Sequence, residues 1–237
     1  MGLLSRVARQ VTPIITDINT MGLGAVFPRL TPDGAWLVYA PLTVDYVEGA
    51  PIDLLRVSIS SGSPQQIMKT PVYDTPRCSR APATLCAIAT KEKDELRFIA
   101  FEPVQERGRE LGRFKLDEPE KFYGWDLSPD GTRIAVLKRG GSAIHILTFR
   151  THQDQKIVVK GRSGLEALDW TFDGKGSFTS SRASGAVLLQ TDLQGNAHVL
   201  WEPKGHATVW ALSPPDGHRV AMPGFALSSN IWSMQDF

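Results

Sequence analysis

The sequence predicts an all-β fold, a β-propeller of about five four-stranded antiparallel blades, on three observations. A short phrase recurs: Leu30-Thr31-Pro32-Asp33-Gly34, Leu127-Ser128-Pro129-Asp130-Gly131, Trp170-Thr171-Phe172-Asp173-Gly174 and Leu212-Ser213-Pro214-Pro215-Asp216-Gly217. The last three Asp-Gly pairs, at 130, 173 and 216, stand 43 residues apart, and the 97 residues from 33 to 130 leave room for two units. Short apolar segments follow each phrase at strand length. A fixed period of about 40 to 50 residues marks a propeller or a solenoid, and four short strands per period make one propeller blade.

Each element has a local reason. Asp-Gly supplies the positive φ that a tight hairpin turn needs, and a proline just before it cannot donate to a ladder, so it ends the first strand. Second strands follow at Trp36-Leu37-Val38-Tyr39, Arg133 to Leu137, Gly176 to Thr179 and Arg219 to Met222. Third strands are read at Ile52 to Val57, Ala143 to Phe149, Ala186 to Asp192 and Asn230 to Phe237, and fourth strands at Gln66 to Met68, Lys156 to Val159 and Ala197 to Leu200. Around Ala81-Pro82-Ala83 the Asp-Gly turn is lost but the rhythm continues: Arg77 to Arg80, Leu85 to Ile88, Glu95 to Phe101 and Arg109 to Lys115. The chain is thus read as one propeller domain, 1–237, with repeats at about 27–70, 71–118, 119–162, 163–204 and 205–237. The segment 1–26 precedes them. Within it, Ser5 to Thr12 is expected to pair beside Asn230 to Phe237 and close the ring, because an uncovered strand edge invites aggregation. The rival reading of that segment is an amphipathic helix using Leu3, Leu4 and Val7.

Composition narrows the function classes. The 237 residues are 42% hydrophobic, ample for a core, and the net charge is +1, with 26 basic and 25 acidic residues. A nucleic-acid groove or an anionic membrane surface normally calls for a basic excess, so neither is expected as a partner. No apolar run approaches the roughly 18 residues of a membrane-spanning helix. Met1 to Gln10 lacks a long apolar stretch and a cleavage site, so it does not read as a signal peptide. As it stands the chain reads as cytoplasmic, or as periplasmic if carried behind a membrane segment. The two cysteines, Cys78 and Cys86, fall on the first and second strands of the atypical repeat. Two readings stand: small buried residues in a reducing compartment, or a cross-strand disulfide in an oxidising one, worth about 2 to 3 kcal/mol for so short a loop.

Chemical motifs are missing. There is no Gly-x-Ser-x-Gly elbow, no His-Glu-x-x-His, no Cys-x-x-Cys and no phosphate-binding glycine loop. No cofactor or metal is therefore expected, and the lone turn aspartates lack the close oxygen spacing of a calcium loop. The six tryptophans fall mostly on strands, where a large ring fills the gap between blades. The informative column lies four residues before the Asp-Gly position of the aligned repeats: Arg29, Cys78 (in the repeat that has lost its Asp-Gly), Asp126, Asp169 and, allowing one inserted proline, Ala211. First strands are innermost in a propeller, so Arg29, Asp126 and Asp169, with Arg77 and Trp125 beside them, are candidates for lining the channel and binding a ligand. They are equally candidates for interblade salt bridges.

At the Leu-Ser-Pro-Asp-Gly phrases and their variants the chain resembles the TolB-like class of WD-type β-propellers. Ser229-Asn230-Ile231-Trp232 with Phe237 is similar to the last blade of those domains, as are Arg77 to Arg80 with Cys86, and Asp169 to Lys175. The resemblance runs from about residue 27 onward. It is close to that of propellers at the C-terminal end of larger bacterial proteins, in which a winged-helix regulator or a serine/threonine kinase domain often comes first. This chain carries no kinase glycine loop, no His-Arg-Asp and no winged-helix segment. The resemblance therefore implies either a standalone propeller or the C-terminal part of a longer signalling or regulatory protein. The expected function is a non-enzymatic binding or sensor module for a protein partner or small ligand. The alternatives are a propeller enzyme of lyase or glycosidase type with its site in the central channel, and a gating propeller that has lost its peptidase domain.

Overall fold

The computed structural model describes residues 22–43, 50–60, 62–71, 76–102, 105–183, 186–202, 211–213 and 220. They form four four-stranded antiparallel sheets, each a simple meander in chain order. Blade one holds β1 (Gly22–Leu30), β2 (Trp36–Thr43), β3 (Pro51–Ser58) and β4 (Gln65–Pro71). Blade two holds β5 (Arg77–Cys78), β6 (Cys86–Glu92), β7 (Glu95–Glu102) and β8 (Gln105–Lys115). Blade three holds β9 (Tyr123–Leu127), β10 (Arg133–Lys138), β11 (Ala143–Thr148) and β12 (Gln153–Val158). Blade four holds β13 (Leu165–Trp170), β14 (Gly176–Ser181), β15 (Val187–Asp192) and β16 (Ala197–Trp201).

The first strands β1, β5, β9 and β13 neighbour one another in turn, so they form the inner wall around the axis. Four blades are seen among the described residues, against the five expected. Of the fifth repeat only Ala211–Ser213 and Val220 are described, and Ala211 is buried against Phe178 and Leu188 of blade four. The rest of that repeat, and the segment expected to close the ring, lie outside the described residues. β1 begins at Gly22, inside the stretch expected to precede the first repeat.

Both faces of the middle strands are buried, which explains their continuous apolar runs. In β10, Ile134 and Val136 pack toward blade two with Trp125, Phe98 and Leu96. Ala135 and Leu137 pack toward blade four with Trp170, Leu165 and Leu189. Blades one and two meet through Val38, Ala40 and Leu54 against Ile88, Ile99 and Phe101. Among the described residues, the seams between blades one and two, two and three, and three and four are thus apolar contacts of facing sheets.

The recurring phrase is one turn built three times. The hydroxyls of Thr31, Ser128 and Thr171 donate to Asp33, Asp130 and Asp173. The same hydroxyls accept the backbone N–H of Trp36, Arg133 and Gly176 at 3.1, 2.9 and 3.1 Å. Only the glycines take a positive φ: 70° at Gly34, 69° at Gly131 and 65° at Gly174. The aspartate serves as an acceptor, so the loop is longer than the two-residue hairpin that Asp-Gly alone suggests.

Candidate functional site

The inner wall carries a network of buried charge. Asp126 on β9 accepts the Trp170 backbone N–H of blade four at its Oδ2, 2.8 Å, and its carbonyl accepts the Trp170 indole N–H at 3.2 Å. Its Oδ1 stands 3.5 Å from Nε of Arg77 on β5. Asp126 therefore ties blade three to blades two and four. Asp169 on β13 repeats the device one blade on: its Oδ1 accepts the Ser213 backbone N–H at 3.0 Å. Arg29 Nη2 of blade one lies 3.5 Å from Asp169 Oδ2, and Arg80 Nη2 of blade two lies 4.0 Å from Oδ1. Arg80 also donates to the Ser213 carbonyl at 2.8 Å and to its hydroxyl at 3.3 Å. Arg80 of blade two thus reaches Asp169 of blade four, past the intervening blade three.

The structure brings Arg29, Arg77, Asp126 and Asp169 into this one network. Trp125 lies behind it, fully buried, with the Arg77 guanidinium 5.4 Å from its ring centre and Arg77 Nε donating to its carbonyl at 3.1 Å. Cys78 and Cys86 face each other across β5 and β6, joined through sulfur with Cα atoms 4.0 Å apart. Arg80 and Ser213 were missed by sequence reasoning. Arg80 lies in the one loop that lacks the Asp-Gly turn, so no repeat alignment assigns it a position.

Burial pushes the Asp169 carboxyl up to about 7, and the neighbouring Asp126 carboxylate adds to the rise; Arg29, the Ser213 N–H and Arg80 pull the other way. The stability effect has a definite sign. The folded state holds this proton up to about pH 7, whereas an unfolded aspartate releases it near pH 4. Stability is therefore expected to fall as pH rises from about 4 to 7. Asp169→Asn should flatten that fall in urea unfolding series; an unchanged slope would show that Asp169 does not titrate there. The turn carboxylates Asp33, Asp130 and Asp173, and Asp117 (held at about 2 by Lys138 and the Tyr123 hydroxyl), are shifted down and act below this window.

The phrase turns form a rim at one end of this wall. The Arg80 backbone N–H donates to the Pro129 carbonyl at 2.8 Å, linking blades two and three. Arg133 donates to the Gly174 carbonyl at 3.0 Å and stacks 4.8 Å from the Trp170 ring, linking blades three and four. Phe172 stands where the other turns carry Pro32 and Pro129. It is 45% exposed, and the Arg80 guanidinium lies 5.7 Å from its ring centre. Among the described residues no group of three or more His, Cys, Asp or Glu is placed to hold a metal ion, and no helix is long and apolar enough to cross a membrane.

No family model matches the chain. Solved structures do. A candidate TolB from Agrobacterium tumefaciens superposes with a TM-score of 0.61 at 16% identity, over 84% of this chain and 69% of that one. TolB from Acinetobacter baumannii gives 0.60 at 14% identity, over 84% of this chain and 54% of that one. Puromycin hydrolase gives 0.50 at 15% identity, over 83% of this chain and 32% of that one.

The last of these corrects the sequence reading on one point. Lack of a nucleophile, metal or nucleotide motif led to the expectation of no enzymatic activity. The same propeller architecture occurs within a hydrolase, so that inference from motifs does not stand. The described residues form an all-β propeller of four-stranded antiparallel blades, the fold of the TolB proteins.

Proposed function

We propose that this propeller is a docking module for a protein partner, which meets it at the rim of phrase turns. The observation that carries the reading is Phe172, a large exposed ring under an arginine on a hydrogen-bonded turn. Aromatic residues and arginine dominate the energetic centres of protein interfaces, and a pre-ordered anchor loses little entropy on binding. The inward charges support the rim from below: Arg29 and Asp169 keep side-chain exposures of only 16% and 9%, spent on each other. The chain spans about half to two-thirds of the TolB proteins it resembles, so the partner of a longer assembly is part of this proposal. The test is a quantitative affinity capture, comparing the intact chain with Phe172→Ala. A partner that binds the intact chain should bind the variant at least tenfold more weakly, with the melting temperature unchanged. Equal retention of every partner by the variant would overturn the rim as the docking site.

A second reading, catalysis in the channel, is favoured by the buried Asp169 carboxyl. A raised acid beside Asp126 and two arginines is the kind of perturbed group found at active sites. Turnover of a substrate by the folded protein, lost in a folded Asp169→Asn variant, would establish it.

A further inference from the structure

Among the described blades, blade two has the shortest inner strand, and the blade carries two of the channel arginines. β5 is two residues long, whereas β1, β9 and β13 have nine, five and six. Its ladder to β6 consists of the pairs Arg77↔Ala87 and Cys78↔Cys86, extended by the Ser79 N–H donating to the Leu85 carbonyl at 2.7 Å. Yet this segment delivers two of the arginines that face the channel carboxylates. Arg77, one residue before Cys78, stands by Asp126; Arg80, two residues after it, stands by Asp169 and Ser213. The covalent link from Cys78 to Cys86 reinforces that short ladder to the blade. Cys86 is fully buried in the apolar contact between blades one and two, with Val38, Ile88 and Phe101. Cys78 is only partly buried.

We infer that the Cys78–Cys86 disulfide is a redox latch on the channel wall: reduction frees β5 and uncouples Arg77 and Arg80 from Asp126 and Asp169. The reductant is a dithiol. Its thiolate attacks Sγ of Cys78, the less buried of the two residues; the S–S bond breaks, and Cys86 leaves as a thiolate and takes a proton. The second thiol of the reductant then attacks its own sulfur in the mixed disulfide, and Cys78 leaves as a thiolate and takes a proton. Two electrons and two protons reach the protein, and the dithiol ends as a cyclic disulfide. With the covalent tie gone, β5 is held by its two-residue ladder and by the hydrogen bonds of Arg77, Ser79 and Arg80; as it loosens, Asp126 loses Arg77, Asp169 keeps Arg29 but loses Arg80, and the Trp170 N–H loses an acceptor fixed by Arg77.

Amide hydrogen exchange on the whole chain tests this, with dithiothreitol as the dithiol and thiol counting by mass to confirm the state. The expected result is a selective effect. On reduction the amides of Ser79, Arg80 and Trp170 should exchange at least tenfold faster, while the β11–β12 ladder amides of blade three stay unchanged. Reduced protein with unaltered exchange at those three amides would overturn the latch. So would uniform acceleration across all blades, which would make the disulfide a general staple of the fold. Two free thiols in protein prepared under oxidising conditions would overturn it as well. The Cys78→Ser/Cys86→Ser protein provides a check without reductant: if folded, it should show the reduced pattern of exchange, and the oxidised pattern in it would contradict the proposal.

Discussion

Asp126→Ala is expected to cost about 3 to 5 kcal/mol of stability, the range for removing one partner of a buried ion pair. The change leaves the Arg77 guanidinium with its nearby countercharge gone and the Trp170 backbone N–H without its 2.8 Å acceptor, both inside the ring. A buried polar group left unpaired loses its full hydration, which is why truncation costs more than the bond itself contributes. The effect should appear as a lower urea midpoint at an unchanged slope. An exposed pair gives the contrast. Arg113 and Glu95 lie 3.1 Å apart on the outer strands of blade two, with side chains 46% and 35% exposed, and Glu95→Ala should cost less than about 1 kcal/mol. Equal losses for the two variants would show that burial does not set the scale here.

Trp170→Ala is expected to cost a further large amount, about 3 to 5 kcal/mol, as for other buried aromatic truncations. The ring is buried between blades three and four with Leu165, Ile146 and Val187, lies against Arg133, and gives its indole N–H to the Asp126 carbonyl. Two residues later, Phe172 lies on the exposed rim, and Phe172→Ala should change stability by no more than about 0.5 kcal/mol. Thermal or urea unfolding of the two variants reads the difference. A small loss for Trp170→Ala would mean that the interblade seam repacks easily.

How much of this was readable from residues alone follows from the physics of each feature. The meander of four strands was legible because Asp-Gly turns at a fixed spacing act locally, and short apolar runs mark strands covered on both faces. The turn itself was only half legible. The positive φ at Gly34, Gly131 and Gly174 follows from glycine, but the hydroxyls of Thr31, Ser128 and Thr171 were not recognised as the groups that close each loop. The column Arg29, Asp126 and Asp169 was visible as a column, because the repeat gives every inner strand one register. Its pairing across the ring was not visible. Whether Asp169 meets Arg29 depends on how far apart two inner strands stand, a distance that no spacing along the chain encodes. Arg80 escaped because its loop breaks the pattern. The count of blades rested on the fifth repeat, of which only Ala211–Ser213 and Val220 can be described.

The claim underlying these expectations is that inner-strand charges fasten blade to blade. A double-mutant cycle between Arg77 on blade two and Asp126 on blade three tests it most directly, using Arg77→Met, Asp126→Asn and the pair, with unfolding free energies from urea titration. The expected result is a coupling of about 1 to 3 kcal/mol, the double variant losing less than the two single losses together. Losses that add to within about 0.5 kcal/mol would contradict the account, because two groups that fasten the same seam cannot act independently.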